Sequence, residues 1–185
     1  MIKFKLDRLL TIQVKNITTV VNPVIRIAQR EDLPAIIEIY NSTIPSRIVT
    51  ADLEPISWQS RLNWFEEHDS NTRPLLVLEL EKRAIGWLSL QSFYGRPAYQ
   101  ATAEVSIYIA NSYSRKGWGS YLLKHSLEMC PKWQVNTLLG FIFAHNYPSL
   151  NLFQKFQFQQ WGYFPKVAKL DGLERDLIIM GLRVN

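Results

Sequence analysis

The sequence predicts one α/β domain, a mixed and mostly antiparallel sheet flanked by helices on both faces. Three observations lead there. Apolar residues recur at helical spacing over Leu33–Asn41 and Tyr121–Met129, but fall into short strand-length runs between Pro74 and Ala110. A late run, "TLLGFIFA", is apolar throughout, as a strand at a sheet centre covered on both sides must be. The chain is 185 residues long, without an internal repeat, low-complexity tract or linker, which suits one domain with a sizeable core.

The elements follow in order. "VIRIA" (Val24–Ala28) reads as a strand. Asp32 and Pro34 suit a helix start, with Asp capping and Pro in the first turn, and the helix "LPAIIEIYN" follows. Ser42–Pro55 holds two prolines and no firm period, so it is expected to be a loop. Ser57 can cap a second helix, "WQSRLNWFEEH", with Trp58, Leu62 and Phe65 on one face. "PLLVLELE" and "RAIGWLSLQSF" form an expected hairpin, "GRPAYQ" a loop, and Ala101–Ala110 a third strand. Helix "SYLLKHSLEM", strand "TLLGFIFA", a short helix from Pro148 and two strands near "QQWGYFP" and "RDLIIMGL" complete the chain. A boundary near Asn22-Pro23 separates an N-terminal extension, residues 1–23, from the domain, residues 24–185.

Composition excludes several classes. A single cysteine, Cys130, rules out an internal disulfide framework and a multi-cysteine zinc site, and fits a reducing compartment. The cytoplasm is the expected location. No apolar run approaches the roughly 20 residues of a membrane span. The net charge is +5, yet the basic residues are dispersed rather than clustered on one helix face, so no nucleic-acid partner is expected. His68, His125 and His145 have no ligand spacing, and no metal is expected. Trp58, Trp64 and Trp87 read as core rather than pocket.

The stretch with the most chemistry is "EVSIYIANSYSRKGWGSYLL", a strand, a basic loop and a helix. Free backbone N–H groups and the positive end of the helix make an anion site there without a special side chain. Gly117 and Gly119 allow close backbone approach, while Arg115 and Lys116 add charge. Neither the P-loop pattern nor the dinucleotide fingerprint GxGxxG is present, since Leu122 holds the third glycine's place. Taken alone, "KGWG" is equally compatible with an ordinary loop before a helix. Glu104, Ser106 and Tyr108 share one side of the preceding strand, the more polar side.

Together, "IRIAQREDLPAIIEIYN", "DLEPISWQSRLNWF", "GRPAYQATAEVSIYI", "SRKGWG" and "NYPSLNLFQKFQF" resemble the GNAT superfamily of acetyl-CoA-dependent N-acetyltransferases. Within it, the phosphinothricin and methionine sulfoximine acetyltransferases are the most similar. The resemblance spans Ile25–Arg183 and implies a single GNAT-type domain, acetyl-CoA as cosubstrate, a small amine acceptor and a homodimer. It further implies that the backbone of Ile107, Tyr108 and Ile109 pairs with pantetheine. Arg115, Lys116, Gly117, Trp118, Gly119 and Ser120 would hold the pyrophosphate, and Asn146, Ser149 and Lys155 further parts of the cofactor. Glu104 would be the base that takes the acceptor's proton. The backbone N–H of Ile107 or a close neighbour would face the developing oxyanion. Arg96, Pro97, Ala98 and Tyr99 would line the acceptor side. Other amines (a polyamine, an aminoglycoside, a protein N-terminus) and a non-catalytic CoA-binding module are the alternatives.

Three positions depart from the family pattern. Ser114 stands where Arg or Gln opens the loop motif, Phe153 where Tyr or His is frequent, and Gln157 where Gly is usual. Phenylalanine cannot return a proton to a leaving thiolate. A positive φ at Gln157 would cost about 1 kcal/mol unless the turn is rebuilt.

Overall fold

The computed structural model describes residues 11–14, 17–20 and 22–184. Two short strands, β1 (Thr11–Val14) and β2 (Ile17–Val20), pair antiparallel in the N-terminal extension; residues 1–10, 15–16 and 21 of that segment lie outside the described residues. The domain then runs β3 (Val24–Ile27), α1 (Leu33–Asn41), α2 (Leu62–Glu66), β4 (Leu75–Leu80), β5 (Arg83–Ser92) and β6 (Thr102–Ile109). It continues with α3 (Trp118–Met129), β7 (Thr137–Phe143), α4 (Tyr147–Lys155), β8 (Gln159–Leu170) and β9 (Leu173–Arg183). This is the expected order.

Seven strands form one mixed sheet in the order β3-β4-β5-β6-β7-β9-β8. All neighbours are antiparallel except β6 and β7. The alternation of β4 shows how both faces are covered. Leu75 and Val77 pack with Leu33, Ile36 and Ile37 of α1, while Leu76 and Leu78 share a cluster with Leu122 and Leu123 of α3 and Leu150 of α4. Burying such side chains contributes roughly 1.5–3 kcal/mol apiece.

Local details depart from the simple reading. Asp32 does not cap α1. Its carboxylate accepts the Gln29 N–H (2.7 Å) and pairs with Arg26 (2.6 Å), joining β3 to the helix start. Ser57 does accept a backbone N–H, from Ser60 at 3.2 Å, but the segment begins as a 3-10 turn, Gln59–Arg61. That winding leaves Trp58 exposed rather than on the buried face with Leu62 and Phe65. Helix α4 starts at Tyr147, one residue before Pro148, with Asn146 as its cap. Among the described residues, no helix is long and apolar enough to cross a membrane.

Candidate active site

The centre of the sheet is open. Strands β6 and β7 pair only where Thr102–Glu104 face Thr137–Leu139, and then diverge. Beyond the last β5–β6 rung, Ala110 N–H donates to Ile85 O at 2.9 Å, which fixes the phase of that ladder. Even-numbered residues of β6 hydrogen-bond to β5, and the N–H and C=O of Val105, Ile107 and Ile109 point the other way, toward the gap. The Val105 N–H completes the last β6–β7 pairing, that of Glu104 with Leu139, while the Val105 C=O and both backbone groups of Ile107 and Ile109 meet no strand among the described residues. Buried backbone groups are rarely left unpaired. A row of them beside a cavity is a rung waiting for an extended ligand.

The gap opens into a cleft of about 680 Å³, within the usual range for small-molecule sites. Val105, Ile107, Tyr108 and Ile109 form one wall, and Phe141, Ile142, Asn146 and Phe153 stand opposite. The loop after β6 closes one end. Gly117 caps α3 with a φ of 90°, where a side chain would be strained and the space around it is empty. A methyl at Gly119 would meet Leu152 at 3.1 Å. No side chain caps α3, so its first N–H groups remain available to an anion. Arg115, Trp118, Ser120, Ser149 and Lys155 border the same cleft; Lys116 does not, and donates instead to Ser112 O at 2.9 Å. The hydroxyl of Ser114 turns back onto Asn111 O (2.8 Å), away from the anion position. Asn146 is buried, and its Oδ1 accepts the Ser149 N–H at 3.2 Å. These residues fit an extended, anion-bearing thioester such as acetyl-CoA.

A second cavity, about 160 Å³, lies under α1 and α2 on the polar face of β5 and β6. Cross-strand pairing stacks its floor in rows, Tyr108 beside Trp87, Ser106 beside Ser89 and Glu104 beside Gln91. Ser106 and Tyr108 border both cavities, so the two meet there. Glu104 stands one pleat further along that face. Its carboxyl is half-buried, accepts no hydrogen bond from a described residue, and burial pushes its pKa above the ordinary carboxylate value. Tyr40 forms the roof; its hydroxyl meets Thr50 and donates to Asp52 at 2.6 Å. Burial and then that carboxylate push Tyr40 up to about 12, and burial raises Tyr108 further. Arg61 enters from the start of α2, with one nitrogen 3.5 Å from Asp52.

Arg96, Pro97, Ala98 and Tyr99 lie apart from both cavities, Pro97–Tyr99 as an exposed 3-10 turn ahead of β6. Sequence reasoning passed over Tyr40, Arg61, Ser89 and Gln91. The readable signal was Ser89 and Gln91, two polar residues two apart on an otherwise apolar strand, mirrored by Glu104 and Ser106. Trp64 and Trp87 belong to the core cluster and also wall the cavity. His68 Nδ1–H donates to Trp64 O (2.8 Å) and His145 Nε2–H to Arg47 O (2.9 Å). No His, Cys, Asp or Glu group able to hold a metal occurs among the described residues.

The model of the Acetyltransferase (GNAT) family matches residues 33–158. The chain belongs to that family. This acetyltransferase is 50% identical over 158 residues to "Putative phosphinothricin acetyltransferase YwnH" of Bacillus subtilis (strain 168), covering 85% of this chain and 96% of the other. It is 26% identical over 162 residues to an L-methionine sulfoximine/L-methionine sulfone acetyltransferase of Pseudomonas paraeruginosa, covering 87% and 94%. The solved structure of yncA from Salmonella typhimurium, with its cofactor acetyl-CoA, superposes with a TM-score of 0.81 at 25% identity, covering 88% and 94%.

Proposed function

We propose that this acetyltransferase moves the acetyl group of acetyl-CoA to the α-amino group of a small amino-acid-like acceptor, of the phosphinothricin or methionine sulfoximine type, in a direct ternary complex. The observation that carries the reading is the open rung of β6 between a Gly117-capped helix and Glu104. Acetyl-CoA supplies the acetyl thioester. The backbone groups of Ile107 and Ile109, with the Val105 C=O, offer partners to its extended arm; the Tyr108 backbone, expected to join them, faces β5 instead. The backbone from Arg115 through Lys116, Gly117, Trp118 and Gly119 to Ser120 receives the pyrophosphate, and Asn146, Ser149 and Lys155 flank the remainder. Ile107 N–H stands where a carbonyl oxygen gains charge during transfer.

Glu104 takes the acceptor's ammonium proton. A raised pKa makes its carboxylate a better-matched base near neutral pH. Phe153 carries no proton to return, and a thiolate whose acid has a pKa of about 8.5 leaves without one. The adjoining cavity of about 160 Å³ suits an amino acid side chain and not an aminoglycoside or peptide. In this reading Arg96, Pro97, Ala98 and Tyr99 approach the acceptor from the solvent side. The protein works in the cytoplasm as a homodimer, with residues 24–185 as the catalytic domain and residues 1–23 as an extension without an assigned role.

The test is release of free thiol from acetyl-CoA with L-phosphinothricin or L-methionine sulfoximine, in wild type and Glu104→Gln. Cys130 adds no background, because its buried thiol is pushed up to about 12. Release that requires the amine and collapses in the variant supports the transfer and the base. Acetyl-CoA binding without release on either amine overturns the reading.

A further inference from the structure

The small cavity holds three features that the transfer chemistry does not use. Ser89 is 1% exposed, and its Oγ has no hydrogen-bond partner. A buried hydroxyl left in that state costs about 1–3 kcal/mol. The hydroxyl belongs to a residue of the cavity lining. Arg61 gives Asp52 only one long contact, 3.5 Å from Nη2, and makes no other side-chain hydrogen bond to a described residue. Most of its fork is therefore free to bind. Between these polar points, Trp64, Trp87 and Ile37 provide apolar wall. The volume equals the liquid share of about five waters.

Resting on the acetyltransferase reading, the geometry points to this cavity as the socket for the acceptor's distal head group, with Arg61 and Ser89 as its specificity-determining residues. The ligand chemistry is a compact tetrahedral centre bearing oxygens and a methyl. Oxygens meet the Arg61 guanidinium and the Ser89 hydroxyl, and the methyl packs on Trp64 and Trp87. Glu104, beside Gln91 and Ser106, remains at the amine end. A guanidinium in a half-buried socket discriminates by charge. An anionic phosphinate head forms an ion pair with the guanidinium, whereas a neutral sulfone head gains a hydrogen bond charged on the donor side alone. A socket made for one side chain also explains why Ser89 is kept despite its unmet hydroxyl.

The experiment compares kcat/KM for L-phosphinothricin and L-methionine sulfone in wild type, Arg61→Gln, Arg61→Lys and Ser89→Ala, with melting temperature and acetyl-CoA affinity measured alongside. Arg61→Gln is expected to lower both values, and that for phosphinothricin by roughly 10-fold more, because only the phosphinate loses an ion pair along with the hydrogen bond. Arg61→Lys is expected to restore part of the preference. Ser89→Ala is expected to lower kcat/KM for both acceptors while raising the melting temperature, a combination that a structural role cannot give. Equal losses on the two acceptors in Arg61→Gln, or unchanged kcat/KM in Ser89→Ala, overturn the socket while leaving the acetyltransferase reading in place. If wild type acetylates neither compound, the acceptor class itself fails and the socket fails with it.

Discussion

The ring of Phe153 lies where a β-carbon at Gly140 would have to go. Helix α4 thus settles directly onto the backbone of β7, at the wall of the cleft. Phe153 also meets Phe158 edge-on, with ring centroids 4.7 Å apart, so its ring is held from two sides.

Gly140→Ala is therefore expected to destabilise the fold by about 1–3 kcal/mol through overpacking. It should also weaken acetyl-CoA binding, because the displaced ring moves against the cleft. Urea unfolding and cofactor titration read the two effects; an unchanged midpoint would show that the helix yields freely.

Glu104→Gln separates activity from stability. Burial raises the folded pKa of Glu104, so its contribution to stability is full below about pH 4.5 and is lost as pH rises through the folded value. At neutral pH the amide variant should be more stable than wild type. It should also be at least ~10²-fold slower, and should lose an acid limb of kcat/KM that lies above pH 4.5 in wild type. Retention of that limb would assign it to another group.

Gln157 has a φ of 67°, so the turn after α4 is not rebuilt to suit its side chain. Phe158 N–H bonds Phe153 O and Gln157 N–H bonds Gln154 O, a Schellman close with a left-handed residue that glycine ordinarily supplies. Gln157→Gly should stabilise the protein by about 1 kcal/mol. Differential scanning calorimetry would register this as a higher midpoint, and a lower one would refute the strain.

Arg73 is buried without a salt bridge to a described carboxylate. Its guanidinium donates to the carbonyls of Gln100 and Thr102, pinning the segment that leads into β6. Arg73→Met removes those donors and should cost about 1–3 kcal/mol. Hydrogen exchange should quicken first in residues 96–103, and uniform quickening instead would deny Arg73 this local role.

Asp32 holds a lowered pKa, chiefly through its hydrogen bonds with Arg26. The stability it lends is present above about pH 3.8 and is lost as pH falls through the lower folded value. Asp32→Asn should thus destabilise at pH 7 and shrink the difference from wild type below pH 3. A gap that persists in acid would place its role in the Gln29 hydrogen bond alone.

Most of the fold is legible because the central strands are strand-length apolar runs buried on both faces. Leu75 and Val77 against Leu76 and Leu78 give β4 two apolar faces, and the helical spacing of α1 and α3 supplies what covers them. The final hairpin is less legible. Strand β8 runs for 12 residues, much further than "QQWGYFP", because bulges at Gln160/Gly162 and Phe164/Ala168 break its period of two. Pro165 is tolerated because β8 is an edge strand. The anion end of the cleft can be read from Gly117 and the neighbouring loop, since consecutive residues build it. Of the small cavity only the polar floor, Ser89 and Gln91 beside Ser106, can be read, because Tyr40, Arg61 and Ser89 converge from three elements far apart in the chain.

The open rung of β6 also makes the protein a reporter of its own supply. A sheet interrupted at its centre lacks hydrogen bonds that an extended cosubstrate would provide, so occupancy and resistance to unfolding are tied. Cosubstrate at 100 times its dissociation constant would add about 2.7 kcal/mol to the folded state. Below that concentration the added stability falls with occupancy, so resistance to unfolding would measure how much of the protein holds its acetyl donor.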